Sequence, residues 1–312
     1  MVTHRNIDTE PEPVAVVGAG GFIGTRLTEA LTMAGVPTAP VTRATPAVVD
    51  GRPAPALRTA RTIFYLASTV NPALAERHPE RVAADHAAFT GLLAALRRAG
   101  DRPALILAGS AGAVYAPDAD PPYRETSPIG PASAYGRAKA ELERALFEAR
   151  DAVRPVVVRI ANAYGPGQRT GTMQGVVGHW LEAAAAGLPL RLYGPPEVCR
   201  DYVFVDDVVE AFLHARHLAR LRPEPDAPEV FNVGSGVPVS LGELARSVAA
   251  AIGREPRVER LPARGFDRRD VWFDVRRARE VLGWRPRTSL PDGLRRTWLA
   301  LTAATAGTGA VR

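Results

Sequence analysis

The chain has 312 residues, 46% hydrophobic and 23% charged, which is the make-up of a soluble globular protein with room for one large or two small domains. Its one cysteine, Cys199, excludes an internal disulfide framework and a thiolate metal cluster. The net charge of +6 is scattered over single and paired arginines without a basic run, which argues against nucleic acid as a partner.

No apolar window reaches the roughly 18 residues of a membrane span. The polar, acidic start MVTHRNIDTEPEP does not read as a secretory signal, so the expected compartment is the cytoplasm. Of the 39 basic residues, Lys139 is the only lysine. Arginine stands wherever charge alone is needed, which singles that lysine out.

In chain order, Val14 to Val17 is a β-branched run ending in glycines, and Phe22 to Met33 follows with helical periodicity. Pro40 to Thr42 closes a second short strand, and Ile63 to Ala67 is a third. Val82 to Arg98 reads as a helix, Ala104 to Leu107 as a buried strand, Ala134 to Arg150 as a long helix and Val156 to Ile160 as another buried strand. Apolar strands alternating with helices predict an α/β fold, a Rossmann-type doubly wound parallel sheet covered on both faces.

After Asn162 the pattern changes. Gly165 to Gly175 is a glycine-rich loop, Val176 to Ala186 a helix, and Val203 to Arg220 another. The expected division is a nucleotide-binding domain over 12–165, with part of 200–235 packing back onto it. A smaller interleaved α/β substrate domain covers 166–199 and 236–302. Residues 1–11 and 303–312 are expected to be disordered. Arg43 to Arg61 shows little periodicity and stays unplaced.

The loop Gly18-Ala-Gly-Gly21-Phe22-Ile23-Gly24 joins the first strand to the first helix. In a dinucleotide site the first glycine permits the tight turn, the second lets the backbone approach a pyrophosphate, and the third lets helix and strand pack. The helix N-terminus then offers unpaired N–H groups to the phosphates. An acid at the end of the second strand would bind the ribose of NAD. Thr42-Arg43 stands there instead, and a guanidinium suits a 2′-phosphate. NADP(H) is therefore the expected cofactor, with NAD(H) possible.

Tyr135 and Lys139 are four apart at a helix start and share a face. A cation beside a tyrosine favours the phenolate, and so readies the hydroxyl for proton transfer. Ser110 follows the Ala104–Leu107 strand at its C-terminal end, where open α/β sheets bind ligands. No carboxylate–histidine set has ligand spacing, so no metal is expected.

At this point the chain resembles the extended short-chain dehydrogenase/reductase superfamily, in its nucleotide-sugar epimerase/dehydratase branch. GAGGFIG, FYLAS, Ser110, YGRAK, RIANAYGPG, RDYVFVDDV, FNVGSG and LGWRP occur in that family's order, over roughly residues 13–300. The resemblance implies that Ser110, Tyr135 and Lys139 are catalytic. It implies a cofactor site of Gly18, Gly21, Phe22, Ile23, Gly24, Thr42, Arg43, Leu66, Ala67, Tyr135, Lys139 and Ile160. It places Asn162 at the cofactor–sugar junction, and Arg200, Arg264 and Asp267 on a sugar-nucleotide diphosphate. The bland alternative pairs Arg200 with Asp201 and Arg264 with Asp267 as surface ion pairs.

Two departures matter. Counting back from Val114-Tyr115 puts Ala111 where the family has its hydroxyl, while counting forward from the strand gives Ser110. The acidic pair of the family's dehydratases is replaced by Ala111-Gly112. Asp85 looks like the family's asparagine on the helix after the third strand. The resemblance therefore points to an NADPH-dependent 4-ketoreductase of a nucleotide-activated, dTDP-linked 4-keto-6-deoxyhexose, of the kind found in deoxysugar and antibiotic biosynthesis. The alternatives are a nucleotide-sugar 4-epimerase with tightly bound NAD and a non-catalytic NADP-binding regulator. Family members often dimerise through helices matching 82–98 and 134–150, so a homodimer is expected.

Overall fold

The computed structural model describes residues 12–168, 175–222, 228–264 and 270–308. The elements are β1 (Val14–Val17), α1 (Phe22–Met33), β2 (Thr38–Val41), β3 (Thr62–Tyr65), α2 (Pro79–Ala99), β4 (Ala104–Ser110), α3 (Ala134–Glu148) and β5 (Arg154–Ile160). They continue with β6 (Asn162–Tyr164), α4 (Val176–Ala185), β7 (Leu190–Tyr193), β8 (Tyr202–Phe204), α5 (Val205–Leu221), β9 (Glu229–Val233), α6 (Leu241–Ile252), β10 (Val258–Leu261) and α7 (Leu290–Thr308).

A six-stranded sheet runs in the order β9-β5-β4-β3-β1-β2, every neighbour parallel. Its strands are apolar on both faces because helices cover both. On one face Val16, Phe64, Ile106 and Val158 pack with Leu27 of α1 and Phe212 of α5. On the other, Ile63, Leu105 and Val157 pack with Phe89 and Leu92 of α2 and Leu146 of α3.

A third core builds the smaller lobe. There Val177 and Trp180 of α4 meet Leu190 and Leu192 of β7, Leu244 of α6 and Leu294 of α7. Two short parallel pairs, β6 with β8 and β7 with β10, lie outside the main sheet. The β6–β8 pair carries the chain between the two lobes.

Several boundaries differ from the sequence reading, each for a local reason. Arg43 to Arg61, left unplaced above, holds a small antiparallel hairpin (Val48–Val49 with Arg52–Pro53) and a one-turn helix, Pro55–Arg58. Leu57 and Ala60 are buried and Ala47, Val48 and Ala54 pack against the same core, which folds the segment down onto the sheet's helical face. The expected disorder from 303 is corrected in part, because α7 runs to Thr308. Helix formation there continues through Ala- and Thr-rich sequence once its N-terminal half is packed. Residues 1–11 and 309–312 lie outside the described residues.

Trp284 locks the approach to α7. Its ring is 1% exposed, and its Nε1 donates to the Asp207 carbonyl at 2.9 Å. Trp284→Ala leaves a large cavity and an unpaired carbonyl. The expected loss of stability is about 3–5 kcal/mol, read as a lower denaturant midpoint by circular dichroism. A loss below about 1 kcal/mol would contradict this role.

Candidate active site

The glycine loop leaves β1 at Gly18, whose φ of +94° belongs to glycine. A β-carbon there would lie 2.7 Å from the Ala67 nitrogen and 2.8 Å from the Leu66 carbonyl carbon, so the chain after β3 closes on this turn. A β-carbon on Gly24 would strike the Gly18 carbonyl. Packing within the protein thus accounts for both.

Gly20, which the sequence reading did not single out, differs from Gly18 and Gly24. A β-carbon on Gly20 would meet nothing nearer than the Thr42 Cγ2 at 4.0 Å. No packing contact within the protein demands a bare backbone at this exposed position. Gly21 is the N-cap of α1 and makes no side-chain cap, and the first turn carries no acid. The N–H groups of that turn are therefore available to an anion. Phe22 and Ile23 are half-buried: both pack against the core of the smaller lobe, and Ile23 also against that of the main sheet.

At the end of β2 the Thr45 hydroxyl accepts from the Thr42 nitrogen at 2.8 Å, and the Thr42 hydroxyl accepts from Ala44 at 3.2 Å. This turn presents Arg43 as an exposed side chain with no ion partner among the described residues. After β3, Asp85 of α2 accepts from the Thr69 nitrogen at 2.7 Å and from its hydroxyl at 2.8 Å. That fixes the loop beyond Leu66 and Ala67. These features fit a dinucleotide: open space at Gly20, an uncapped helix N-terminus and an unengaged cation at the β2 turn.

Ser110 closes β4 and pairs in register with Ile160, the last residue of β5. Ala111, the competing position, is fully buried in the one-turn helix 111–114. Ser133 caps α3 by accepting from the Gly136 nitrogen at 3.0 Å. Gly136 lies directly against the Ala113 carbonyl, where no side chain fits. That close approach draws the start of α3 onto the turn after Ser110.

Tyr135 and Lys139 share one face of α3, with Nζ 5.8 Å from the tyrosine ring centroid. Lys139 is only 8% exposed, and its Nζ donates to the Ala108 carbonyl at 3.4 Å. A lysine so buried is unusual without a partner. The start of α3, with Tyr135 and Lys139, thus stands against the end of β4, the strand that Ser110 closes.

Beneath them lies a buried network the sequence did not reveal. Arg159 donates to Glu143 through Nη2 at 2.7 Å and to the Tyr115 hydroxyl at 3.0 Å. Tyr115 in turn donates to Asn232 Oδ1 at 2.5 Å. Burial pushes the Tyr115 phenol up to about 12, with Arg159 opposing. Burial alone would lower Arg159, but its bonds to Glu143 and Tyr115 hold it above its ordinary range. A β-carbon on Gly109 would lie 2.9 Å from Glu143 Oε1, which explains a glycine beside Ser110.

Across the site, Asp201 is fully buried and its carboxylate accepts from Ser235 N at 2.6 Å, Ser235 Oγ at 2.7 Å and Gly236 N at 3.0 Å. Burial raises its pKa against those bonds. Its carboxylate is therefore structural, and it makes no surface pair with Arg200. Its carbonyl accepts from Asn162 Nδ2 at 2.9 Å, and next to it Arg200 Nη1 donates to the Cys199 carbonyl at 2.8 Å. Arg264 lies with its guanidinium 4.6 Å from the Tyr193 ring centroid. Asp267 lies outside the described residues. Among the described residues no group of three His, Cys, Asp or Glu could hold a metal, and no helix is long and apolar enough to cross a membrane.

The profile of the NAD dependent epimerase/dehydratase family matches residues 14–234. The chain belongs to this family. A UDP-glucose 4-epimerase from Mycolicibacterium smegmatis is 37% identical over 238 residues, 75% of this chain and 74% of that protein. A dTDP-4-dehydro-6-deoxyglucose reductase from Escherichia coli is 31% identical over 192 residues, 61% of this chain and 58% of that protein. The crystal structure of a UDP-glucose 4-epimerase with UDP-glucose, from Thermotoga maritima, superposes with a TM-score of 0.82 at 28% identity, covering 94% of this chain and 99% of that one. The chain is an enzyme of the oxidoreductase and epimerase kind that the family comprises.

In this family member the glycines separate by cause, which makes them testable. Gly20→Ala should leave unfolding within about 0.5 kcal/mol of the wild type while weakening dinucleotide binding about tenfold or more. Gly24→Ala should cost about 1–3 kcal/mol of stability through overpacking. Thermal melts and fluorescence titration with NADPH separate the two. Equal melting losses in both variants would refute the distinction.

Proposed function

We propose that the enzyme reduces the 4-keto group of a nucleotide-linked, dTDP-type 4-keto-6-deoxyhexose with NADPH. The observation that carries this reading is Arg43, exposed on the β2 turn beside the open space at Gly20, with no acid at that strand end. A guanidinium there favours a 2′-phosphate by a charge-assisted bond. Ala111-Gly112 after Ser110 offers no carboxylate for removing water next to a ketone, which supports reduction over dehydration. The similarity to the dTDP-4-dehydro-6-deoxyglucose reductase supports the substrate class.

NADPH, when bound, supplies the hydride. The protein's own groups do the rest. The N–H groups at the start of α1 and the Arg43 side chain would hold the dinucleotide at its phosphates. Arg200 and Arg264 would clamp the diphosphate of the sugar nucleotide and so orient the keto carbon. Tyr135 Oη gives its proton to the carbonyl oxygen as that oxygen gains charge. Ser110 Oγ donates a hydrogen bond to the same oxygen, and Lys139 favours the phenolate that Tyr135 becomes. The exposed small residues Ala84, Ala87, Ala88 and Gly91 on α2 support pairing with a second copy.

A second reading is a 4-epimerase with tightly held NAD, favoured by the similarity to the mycobacterial UDP-glucose 4-epimerase. It uses the same serine, tyrosine and lysine with no net consumption of cofactor.

The purified protein should arrive without bound dinucleotide and bind NADPH at least about tenfold tighter than NADH. Arg43→Glu should abolish or invert that preference in a fluorescence titration. Protein that arrives loaded with NAD and is indifferent to the 2′-phosphate would move the assignment to the epimerase.

Tyr135→Phe and Lys139→Ala should each lower kcat about 100-fold or more, with circular dichroism and melting unchanged. The assay is loss of NADPH absorbance with 4-keto sugar nucleotides. An unchanged kcat in either variant would remove that residue from the chemistry.

A further inference from the structure

Asp206 opens α5, directly after the strand β8. Its carboxylate is shared between two helices from different lobes. Oδ1 accepts from Arg26 Nη2 of α1 at 2.7 Å, and Oδ2 accepts from Arg296 Nη2 of α7 at 2.6 Å. Arg26 lies in the helix whose first turn faces the open space at Gly20. Arg296 also lies with its guanidinium 4.3 Å from the Phe204 ring centroid. Phe204 meets Tyr164 edge-on at 5.6 Å, and Tyr164 ends the strand that begins at Asn162.

The surroundings say what this carboxylate adds. Asp207, the next residue, accepts from the backbone nitrogens of Arg287 at 3.1 Å and Thr288 at 3.0 Å. Those bonds hold the chain where it enters α7. Asp206 then sets how α7 stands against α1. The side chains of Arg26, Asp206 and Arg296 are 36%, 25% and 39% exposed, so each pair contributes little to stability by itself. Their geometry is nonetheless well defined, with short charge-assisted bonds on both oxygens of one rigid group. Such a bridge is suited to passing a small displacement between packed helices.

We propose that Asp206 is a positioning residue that couples the two half-sites: occupancy of the dinucleotide site at α1 is passed through Arg26, Asp206 and Arg296 to α7 and the smaller lobe. Dinucleotide binding thereby tightens binding of a nucleoside diphosphate in that lobe. By linkage the nucleoside diphosphate tightens the dinucleotide by the same factor. The inference rests on the dinucleotide reading given above, but not on the preference for NADPH nor on the direction of the reaction.

The test uses the full chain with whichever of NADPH and NADH binds more tightly, and with dTDP and UDP as probes of the smaller lobe. In the wild type, the dinucleotide should slow amide hydrogen exchange in α7 as well as α1. It should also raise the affinity for the better nucleoside diphosphate about fivefold by calorimetry. Asp206→Asn keeps the shape and removes the charge. Its dinucleotide affinity and α1 protection should stay within about twofold of wild type, while α7 protection and the fivefold enhancement disappear.

Arg296→Gln should reproduce this, and combining it with Asp206→Asn should add nothing. Should Asp206→Asn fail to fold, Arg296→Gln carries the same comparison. Retained α7 protection in both variants overturns the coupling, as does a wild type whose dinucleotide protects α1 alone. A wild type that binds neither dinucleotide refutes the reading of the glycine loop itself, and the coupling falls with it. That failure shows before any variant is made.

Discussion

The site depends on one buried ion pair. Arg159 of β5 and Glu143 of α3 meet with side chains 6% exposed, and Tyr115 and Asn232 complete their hydrogen bonding. Taking two charges out of water is costly, and such a pair persists only where its geometry is well satisfied. Here it fixes α3 against the sheet one turn beyond Lys139. It also excludes a side chain at Gly109, so β4 can run on to Ser110 while α3 lies close. The stretch of α3 that carries Tyr135 and Lys139 and the strand end that carries Ser110 are therefore positioned by a network beneath them. Satisfied polar networks of this sort specify one arrangement where an apolar contact would permit several.

A second set of anchors organises the other half of the site, and three aspartates of one short segment supply it. Asp201 is fully buried and is held by the Ser235–Gly236 backbone, and its carbonyl holds Asn162. Asp207 holds the chain entering α7, and Asp206 joins α7 to α1. The segment 200–207 thus touches the sheet edge, the β6–β8 pair and both lobes. An interleaved chain path makes this possible, because β9 returns to the main sheet beside β5 after α5.

Much of the site was legible in the sequence where the code is local. The Tyr135–Lys139 spacing places both residues on one helical face whatever surrounds the helix. The strand–glycine–helix order dictates an anion-facing helix N-terminus. The reading failed where neighbours in space decide. Gly20, Gly21 and Gly24 look alike in sequence, yet a β-carbon would clash with the Gly18 carbonyl at Gly24, crowd it at Gly21 and meet no close atom at Gly20. The alternative to a substrate role for Arg200, a surface pair with the adjacent Asp201, could be weighed in the sequence but not decided there. Burial of Asp201 under Ser235 removed it.

The sequence by itself determined the alternation of apolar strands and helices, and with it the parallel sheet, because hydrophobic period and turn chemistry act over a few residues. It also carried the family motifs and the Ser110, Tyr135 and Lys139 proposed for the chemistry. Only the tertiary structure decided which charges meet. Arg159 reaches Glu143 across 16 positions and Tyr115 across 44, while Asp206 reaches Arg296 across 90 and Arg26 across 180. Those pairings follow from strand register and helix crossing, which arise from the whole core at once and leave no periodic trace along the chain.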